Sequence, residues 1–265
     1  MKFSILINTH NQEQYLNRTI KSCIDQSFEK FEIIIVDSSD KKNYNINRKL
    51  NLRKKISYFH IKSKYKQPEI NQMKKILFGF RKSKGDFICL MDGDDFFHKN
   101  KLKQLNKLIK KKTILFNQDK PILYDNKTNN KKLISIKKYK NNSLFNILIN
   151  NWPQIYGTSS IVVKKEILKK FFQSAKPFNW KYLAIDAQLA IFCNIRFRMT
   201  SDLDNITIKT IHNNNLGSKY LNIFKQKFWE RRYMQHKYYS FLKKRSVLNF
   251  DLVFTAIFYY FFKNL

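Results

Sequence analysis

Lys84-Gly85-Asp86-Phe87-Ile88-Cys89-Leu90-Met91-Asp92-Gly93-Asp94-Asp95 runs from a glycine break through an unbroken apolar stretch into an acidic cluster. The apolar stretch predicts a buried central strand, which delivers the acidic cluster at its carboxyl end. The same grammar recurs upstream. Phe3 to Ile7 ends in Asn8-Thr9-His10-Asn11, and Glu32 to Val36 ends in Asp37-Ser38-Ser39-Asp40. Between these two, Tyr15, Leu16, Thr19, Ile20, Cys23 and Ile24 recur at helical spacing over Gln12 to Gln26, with Asn11 placed as an N-cap. A basic loop, a strand at Ile56 to Ile61 and a helix at Pro68 to Lys82 continue the series; Ile70, Met73, Ile76, Leu77 and Phe80 form the helix's apolar face. Alternation of this kind predicts an α/β fold with a mostly parallel sheet flanked by helices and right-handed crossovers. Such sheets bind ligands outside the carboxyl ends of their strands, so the clusters at 8–11, 37–40 and 92–95 should meet in one crevice.

In an extended segment Asp92 and Asp94 face the same way, and Gly93 between them permits close approach. Two carboxylates at one spot suit a hard cation, Mn²⁺ or Mg²⁺, which can bridge the oxygens of a diphosphate that those carboxylates would otherwise repel. A polar turn at a strand end would account for the same residues without any metal.

The chain has 265 residues, 43% of them hydrophobic and 15% aromatic, enough for one substantial core. Its net charge of +33 raises the question of a polyanion partner. The lysines are spread through nearly every segment rather than gathered in a stripe, and no nucleic-acid motif accompanies them, so nucleic acid is not the expected partner. Cys23, Cys89 and Cys193 lie far apart within apolar patterns and read as buried thiols, not as a disulfide framework or zinc site. The apolar start, Met1 to Ile7, is too short for a signal-peptide core, which predicts a cytoplasmic protein.

Taken in order, Ser4 to Asn11, Ser22 to Phe28, Phe31 to Asp37 and Lys84 to Asp95 resemble the family two glycosyltransferases of GT-A fold. The resemblance implies a Rossmann-like sheet with a C-terminal helical tail. It implies a domain at 1–215, with a nucleotide-binding half at 1–115 and an acceptor half at 116–215, and a basic, aromatic extension at 216–265. Thr9, His10, Asn11, Asp37, Ser38, Asp92 and Gly93 would then surround the donor nucleotide, with a UDP-sugar favoured. Asp94 and Asp92 would hold the metal, and His212 resembles a late histidine that some members direct at the metal or diphosphate. Many members have a second Asp where this chain has Ser38, and an aromatic residue often stands where His10 does. Asp186 occupies the place of the family's catalytic base, although Ile185 replaces the usual acidic residue before it. Gly157-Thr158-Ser159-Ser160 resembles the segment on the acceptor side. The implied activity is inverting transfer from a nucleoside-diphosphate sugar to a glycan or lipid-linked acceptor in surface polysaccharide or lipopolysaccharide synthesis.

In the second half the pattern predicts strands at Pro121 to Tyr124, Leu133 to Ile136 and Ser159 to Val163, and helices near Ser143 to Asn150, Lys164 to Phe172, Tyr182 to Asn194 and Tyr220 to Lys243. The apolar tail, Leu252 to Phe262, is about half the length needed to span a bilayer. With Lys243, Lys244 and Arg245 before it, the tail suggests peripheral attachment to an anionic inner leaflet, or packing on the catalytic domain. The rival from outside the enzymes is a degenerate transferase acting as a polyanion binder, against which intact Asp92, Asp94 and Asp186 argue.

Overall fold

A computed structural model describes residues 1–48, 55–133, 152–197, 203–212, 220, 222–246 and 248–264. The anticipated series is present as β1 (Phe3–Thr9), α1 (Glu13–Ile24), β2 (Phe31–Asp37), α2 (Lys41–Arg48), β3 (Ile56–His60), α3 (Pro68–Lys82) and β4 (Phe87–Asp92). β5 (Phe96–Phe97), α4 (Lys101–Lys111), β6 (Phe116–Gln118), β7 (Lys120–Asp125) and β8 (Lys131–Leu133) follow. After a 3-10 turn at Thr158–Ser160 come β9 (Ile161–Lys164), α5 (Lys165–Ser174), α6 (Ile185–Arg196), β10 (Asp204–Ile211), α7 (Gln226–Lys243) and α8 (Phe250–Lys263).

The main sheet has the order β3-β2-β1-β4-β9-β6, parallel from β3 to β4 and antiparallel on either side of β9. A smaller sheet, β5-β10-β7-β8, adjoins it. Successive residues of a strand face opposite sides, and β1 and β4 use both sides. Phe3, Ile5, Ile7, Cys89 and Met91 pack under α1 and α4, whereas Leu6, Ile88 and Leu90 pack under α3, α5 and α6. Burial on both faces explains why these strands read as unbroken apolar runs. α7 belongs to the second of these cores: Tyr238 and Leu242 are buried there, and the Tyr238 hydroxyl donates to the Gln188 carbonyl at 3.1 Å. Cys23, Cys89 and Cys193 are free and buried, as their surroundings predict. Burial pushes the Cys23 and Cys89 thiols up to about 12.

Some elements differ from the sequence reading. The basic loop after Asp40 is helical, because the Asp40 carboxylate accepts the N–H groups of Lys42 and Asn43 and caps α2. Asn11 lies at φ 51°, outside the extended range a cap adopts, and Gln12 takes the N-cap position of α1. Ser159 and Ser160 sit in the 3-10 turn, one step before the strand. α4 and β10 are additional to the expected elements, although Leu102 and Leu105 at helical spacing and Ile206 and Ile208 in alternation carry the signal. The helix expected near Ser143 to Asn150 and the segment Asn213 to Asn215 lie outside the described residues.

Candidate active site

The three polar clusters do converge. Their backbones are registered side by side, Asn8 opposite both Val36 and Asp92, and Thr9 opposite Asp37. Asn8 donates from Nδ2 to the Met91 carbonyl at 2.9 Å and to Asp92 Oδ1 at 2.8 Å, which ties the first cluster to the third. Gly93 is required by this closeness: a Cβ there would stand 2.6 Å from Thr9 Oγ1.

The chain does not stay extended after Asp92. It turns at Gly93 and Asp94, so Asp94 approaches Asp92 because of the turn rather than through strand alternation. α1 grips this turn: Thr19 Oγ1 lies 2.9 and 2.7 Å from the carbonyls of Gly93 and Asp95, and Arg18 reaches the Asp94 carbonyl at 3.3 Å. The carboxylates then diverge in role. Asp95 is buried and fully engaged, accepting from Ser159 Oγ at 2.6 Å and from the Thr210 N–H at 2.8 Å. Asp94 Oδ2 meets His212 Nε2 at 2.8 Å, and the His212 ring stacks on Tyr15 at 4.9 Å. Asp92 accepts from Asn8 and from Gln72 Nε2 of α3, the latter at 2.9 Å.

Burial, then the Asp94 charge, pushes the Asp92 carboxyl up to about 6 against the pull of Asn8 and Lys209; the Asp186 carboxylate adds to the rise. Burial and the charges of Asp94 and Asp92 raise Asp95 well above the carboxylate range. Burial is the first cause of both shifts and carboxylate repulsion the second, so the acidic side chains are crowded where water screens them little. Among the described residues no three His, Cys, Asp or Glu side chains are gathered as a complete metal cage. An oxygen-rich site with few protein ligands fits Mg²⁺ or Mn²⁺, which commonly rely on one or two carboxylates and on substrate phosphates.

The loops after β1 and β2 form the other side of this convergence. Asp37 is buried; Oδ1 accepts from the Ser39 N–H and hydroxyl at 2.8 and 2.6 Å, and Oδ2 from the Tyr58 hydroxyl at 2.5 Å. These bonds fix the orientation of Asp37. His10 Nδ1 lies 2.7 Å from the Ser38 carbonyl, the Asn11 N–H donates to Ser39 Oγ, and Asn11 Oδ1 accepts the Asp40 N–H. Asp186 lies in the first turn of α6, partly exposed, with Oδ1 accepting the Ala187 N–H at 2.8 Å.

The model of glycosyl transferase family 2 matches residues 4–172. The chain belongs to this family. An uncharacterised glycosyltransferase of Haemophilus influenzae is 32% identical over 115 residues, 42% of this chain and 44% of that one. The match thus spans under half the length of either. Staphylococcus aureus TarS 1–349, solved in complex with UDP-GlcNAc, covers all of this chain and 72% of its own at TM-score 0.62 and 16% identity. The Pyrobaculum calidifontis mannosyltransferase PcManGT, solved with GDP-Man and Mn²⁺, covers 98% of this chain and 69% of its own at TM-score 0.60 and 12% identity. The fold is therefore of GT-A type.

Several residues of this family member escape a reading of the sequence alone. Lys75 is buried and donates to the Thr9 carbonyl at 2.8 Å; burial pulls its amine down to about 8, while Asp37 and Asp92 pull it back up. Its signal is a lysine on the buried side of α3. Gly157, at φ 102°, leaves room for the Lys209 amine, which a Cβ would approach to 2.9 Å. Ser159 holds the acidic turn: its hydroxyl donates to Asp95, lies 3.0 Å from the Asp92 N–H, and its carbonyl accepts from buried Lys101 at 3.0 Å. Ser159→Ala removes both hydroxyl bonds and should lower stability by about 1–3 kcal/mol. A urea melt with an unchanged midpoint would show that Ser159 is not an anchor.

Proposed function

We propose that this chain is an inverting, metal-dependent glycosyltransferase. It would move a sugar from a nucleoside-diphosphate donor, a UDP-sugar first, to a hydroxyl of a glycan or lipid-linked acceptor in surface polysaccharide or lipopolysaccharide synthesis. The observation that carries this reading is the gathering of Asp92, Asp94 and Asp95, with Asp186 near enough to raise the Asp92 carboxyl, at the carboxyl ends of the parallel strands. A site that strains to hold its own negative charge is built to take a cation and, through it, a diphosphate. The solved neighbours in complex with UDP-GlcNAc, and with GDP-Man and Mn²⁺, support the donor class and the metal. We assign the transferase unit to 1–215, with the nucleotide half at 1–115 and the acceptor half at 116–215, and 216–265 as an extension docked on it.

Thr9, His10, Asn11, Asp37, Ser38 and Gly93 bind the nucleotide in this proposal, and Asp92 and Asp94, with His212 beside them, hold the cation. When bound, the cation supplies positive charge against the departing diphosphate. Asp186 accepts the proton of the acceptor hydroxyl as the acceptor oxygen bonds to the anomeric carbon. The bond from that carbon to the diphosphate oxygen breaks on the opposite face, its electron pair leaving with the nucleoside diphosphate. No covalent enzyme intermediate is needed, and the configuration inverts.

Thermal melting against a panel of nucleoside diphosphates and nucleotide sugars, with and without Mn²⁺, tests the reading. A ligand that binds only the folded state raises the melting temperature, by an amount equivalent to about 2.7 kcal/mol at a hundredfold excess over its dissociation constant. We expect one nucleotide class to stabilise the protein and to need the metal; no shift with any of them would sink the proposal.

A further inference from the structure

Helix α8 has an inward face of unusual polarity and an outward face of unusual hydrophobicity. Inward, Asp251 is buried and accepts from Trp152 Nε1 at 3.0 Å and from Arg232 at 2.6 Å, with His236 Nε2 at 3.4 Å. Trp229 stacks on Phe258 at 4.6 Å and Tyr233 on Tyr259 at 4.7 Å, and the Asn249 side chain caps the helix by accepting the Leu252 N–H. The helix is thus pinned to α7. Outward, Phe250, Val253, Phe254, Ile257 and Phe261 recur at helical spacing, each between 43% and 63% exposed, with Leu248 just before them at 77%. Phe224, 75% exposed, extends the stripe, since Trp229 also holds that segment through the Ile223 carbonyl. A contiguous apolar stripe on a well-anchored helix marks an interaction surface.

Its border identifies the partner. Lys243, Lys244 and Arg245 precede the helix, Lys263 closes it, and Lys225 and Lys227 flank Phe224, all exposed. The acidic residue of the helix, Asp251, faces inward and is paired. A second copy would bring the same basic border, on a chain that is itself +33 in net charge, whereas an anionic lipid surface offers both the apolar depth and the opposite charge. At 14 residues the helix is about 21 Å long at 1.5 Å per residue. Among the described residues no helix is long and apolar enough to cross a membrane, so α8 would lie in the interface.

The same flank leads to the crevice. Tyr182, four positions before Asp186, feels the charge of Glu230 of α7 most strongly, and those of Tyr259 of α8 and Glu69 of α3 less, which raises its hydroxyl above the usual tyrosine range. Tyr220 donates to Glu69 at 2.6 Å, and α3 carries Gln72 to Asp92. We propose that the outward face of α8 seats the protein on an anionic bilayer, with the Asp186 side of the crevice toward the lipid, so that a lipid-linked acceptor is reached without leaving the membrane. The acceptor route rests on the glycosyltransferase reading; the bilayer seat does not.

Flotation with vesicles of phosphatidylcholine and phosphatidylglycerol, beside vesicles of phosphatidylcholine alone, tests the seat. The wild type should float with the anionic vesicles at low salt, less at high salt, and little with neutral ones. The double variant Ile257→Asp, Phe261→Asp should bind at least about tenfold more weakly, keep its melting temperature, and keep any nucleotide-induced shift. No flotation of the wild type at low salt, undiminished flotation of the variant, or a dimer that the variant dissolves would each overturn the seat. Flotation without any nucleotide-induced shift would leave the seat standing and remove the acceptor route.

Discussion

Asp186→Asn lowers kcat by about 10²–10⁴-fold, the range expected for loss of a general base, and leaves the donor dissociation constant unchanged. The amide cannot take up the acceptor's proton, yet it is nearly isosteric and its oxygen can still accept the Ala187 N–H that holds Asp186 in the first turn of α6. Its chain neighbours Leu183, Ile185, Ala187, Leu189 and Ala190 are buried and hold α6 in the core while Asp186 itself is partly exposed, so the variant should fold normally. The donor's proposed contacts lie on other elements, in the loops after β1, β2 and β4, which is why binding and turnover should separate. Titration calorimetry with the donor, set beside steady-state rates, makes the distinction. Turnover at the wild-type rate would remove Asp186 from the base role, and loss of donor binding would recast it as a residue that shapes the crevice.

The placement of the site is legible because its strands are buried on both faces. Unbroken apolar runs such as Phe87 to Met91 announce where a central strand ends, and the polar residues that follow can only lie at the sheet's edge. What the sequence conceals is the second layer. The turn at Gly93 and Asp94, the grip of Thr19 and Arg18, and the anchor at Ser159 depend on contacts between residues 64 to 76 positions apart, which no local period reports. Lys75 and Lys101 are hidden for a different reason. In a chain this rich in lysine, a buried one looks like its exposed neighbours until its partners are known: the Thr9 carbonyl for the first, and Asp119 at 2.8 Å for the second. α2 is hard to see because its capping residue, Asp40, precedes a sequence with little apolar patterning.

Asp92→Asn should make the metal-free protein more stable while disabling the site. Burial first, and the Asp94 carboxylate second, raise the Asp92 carboxyl from 3.8 to about 6. The folded state therefore holds this proton more tightly than the unfolded chain does, and the ionised form costs stability. The sign follows from linkage: the cost is absent below about pH 4, where Asp92 is protonated in both states, grows as the pH rises, and is complete above about pH 6. A tenfold change in proton affinity corresponds to about 1.4 kcal/mol, so the amide should gain about 1–3 kcal/mol at pH 7 to 8 and nothing at pH 4. Asn8 and Gln72 lose little, since both donate to a single oxygen that the amide retains. The same change removes a charged ligand from the proposed cation site, and loss of one charge-assisted contact of about 1.5–3 kcal/mol should weaken the proposed metal-dependent donor binding about tenfold to a hundredfold. Chemical denaturation across this pH range, with and without Mn²⁺ and nucleotide, reads both effects in one experiment. A variant less stable than the wild type at neutral pH would mean that Asp92 is held by its neighbours rather than strained by them. An undiminished metal-dependent rise in stability would move the cation to Asp94 and His212 alone.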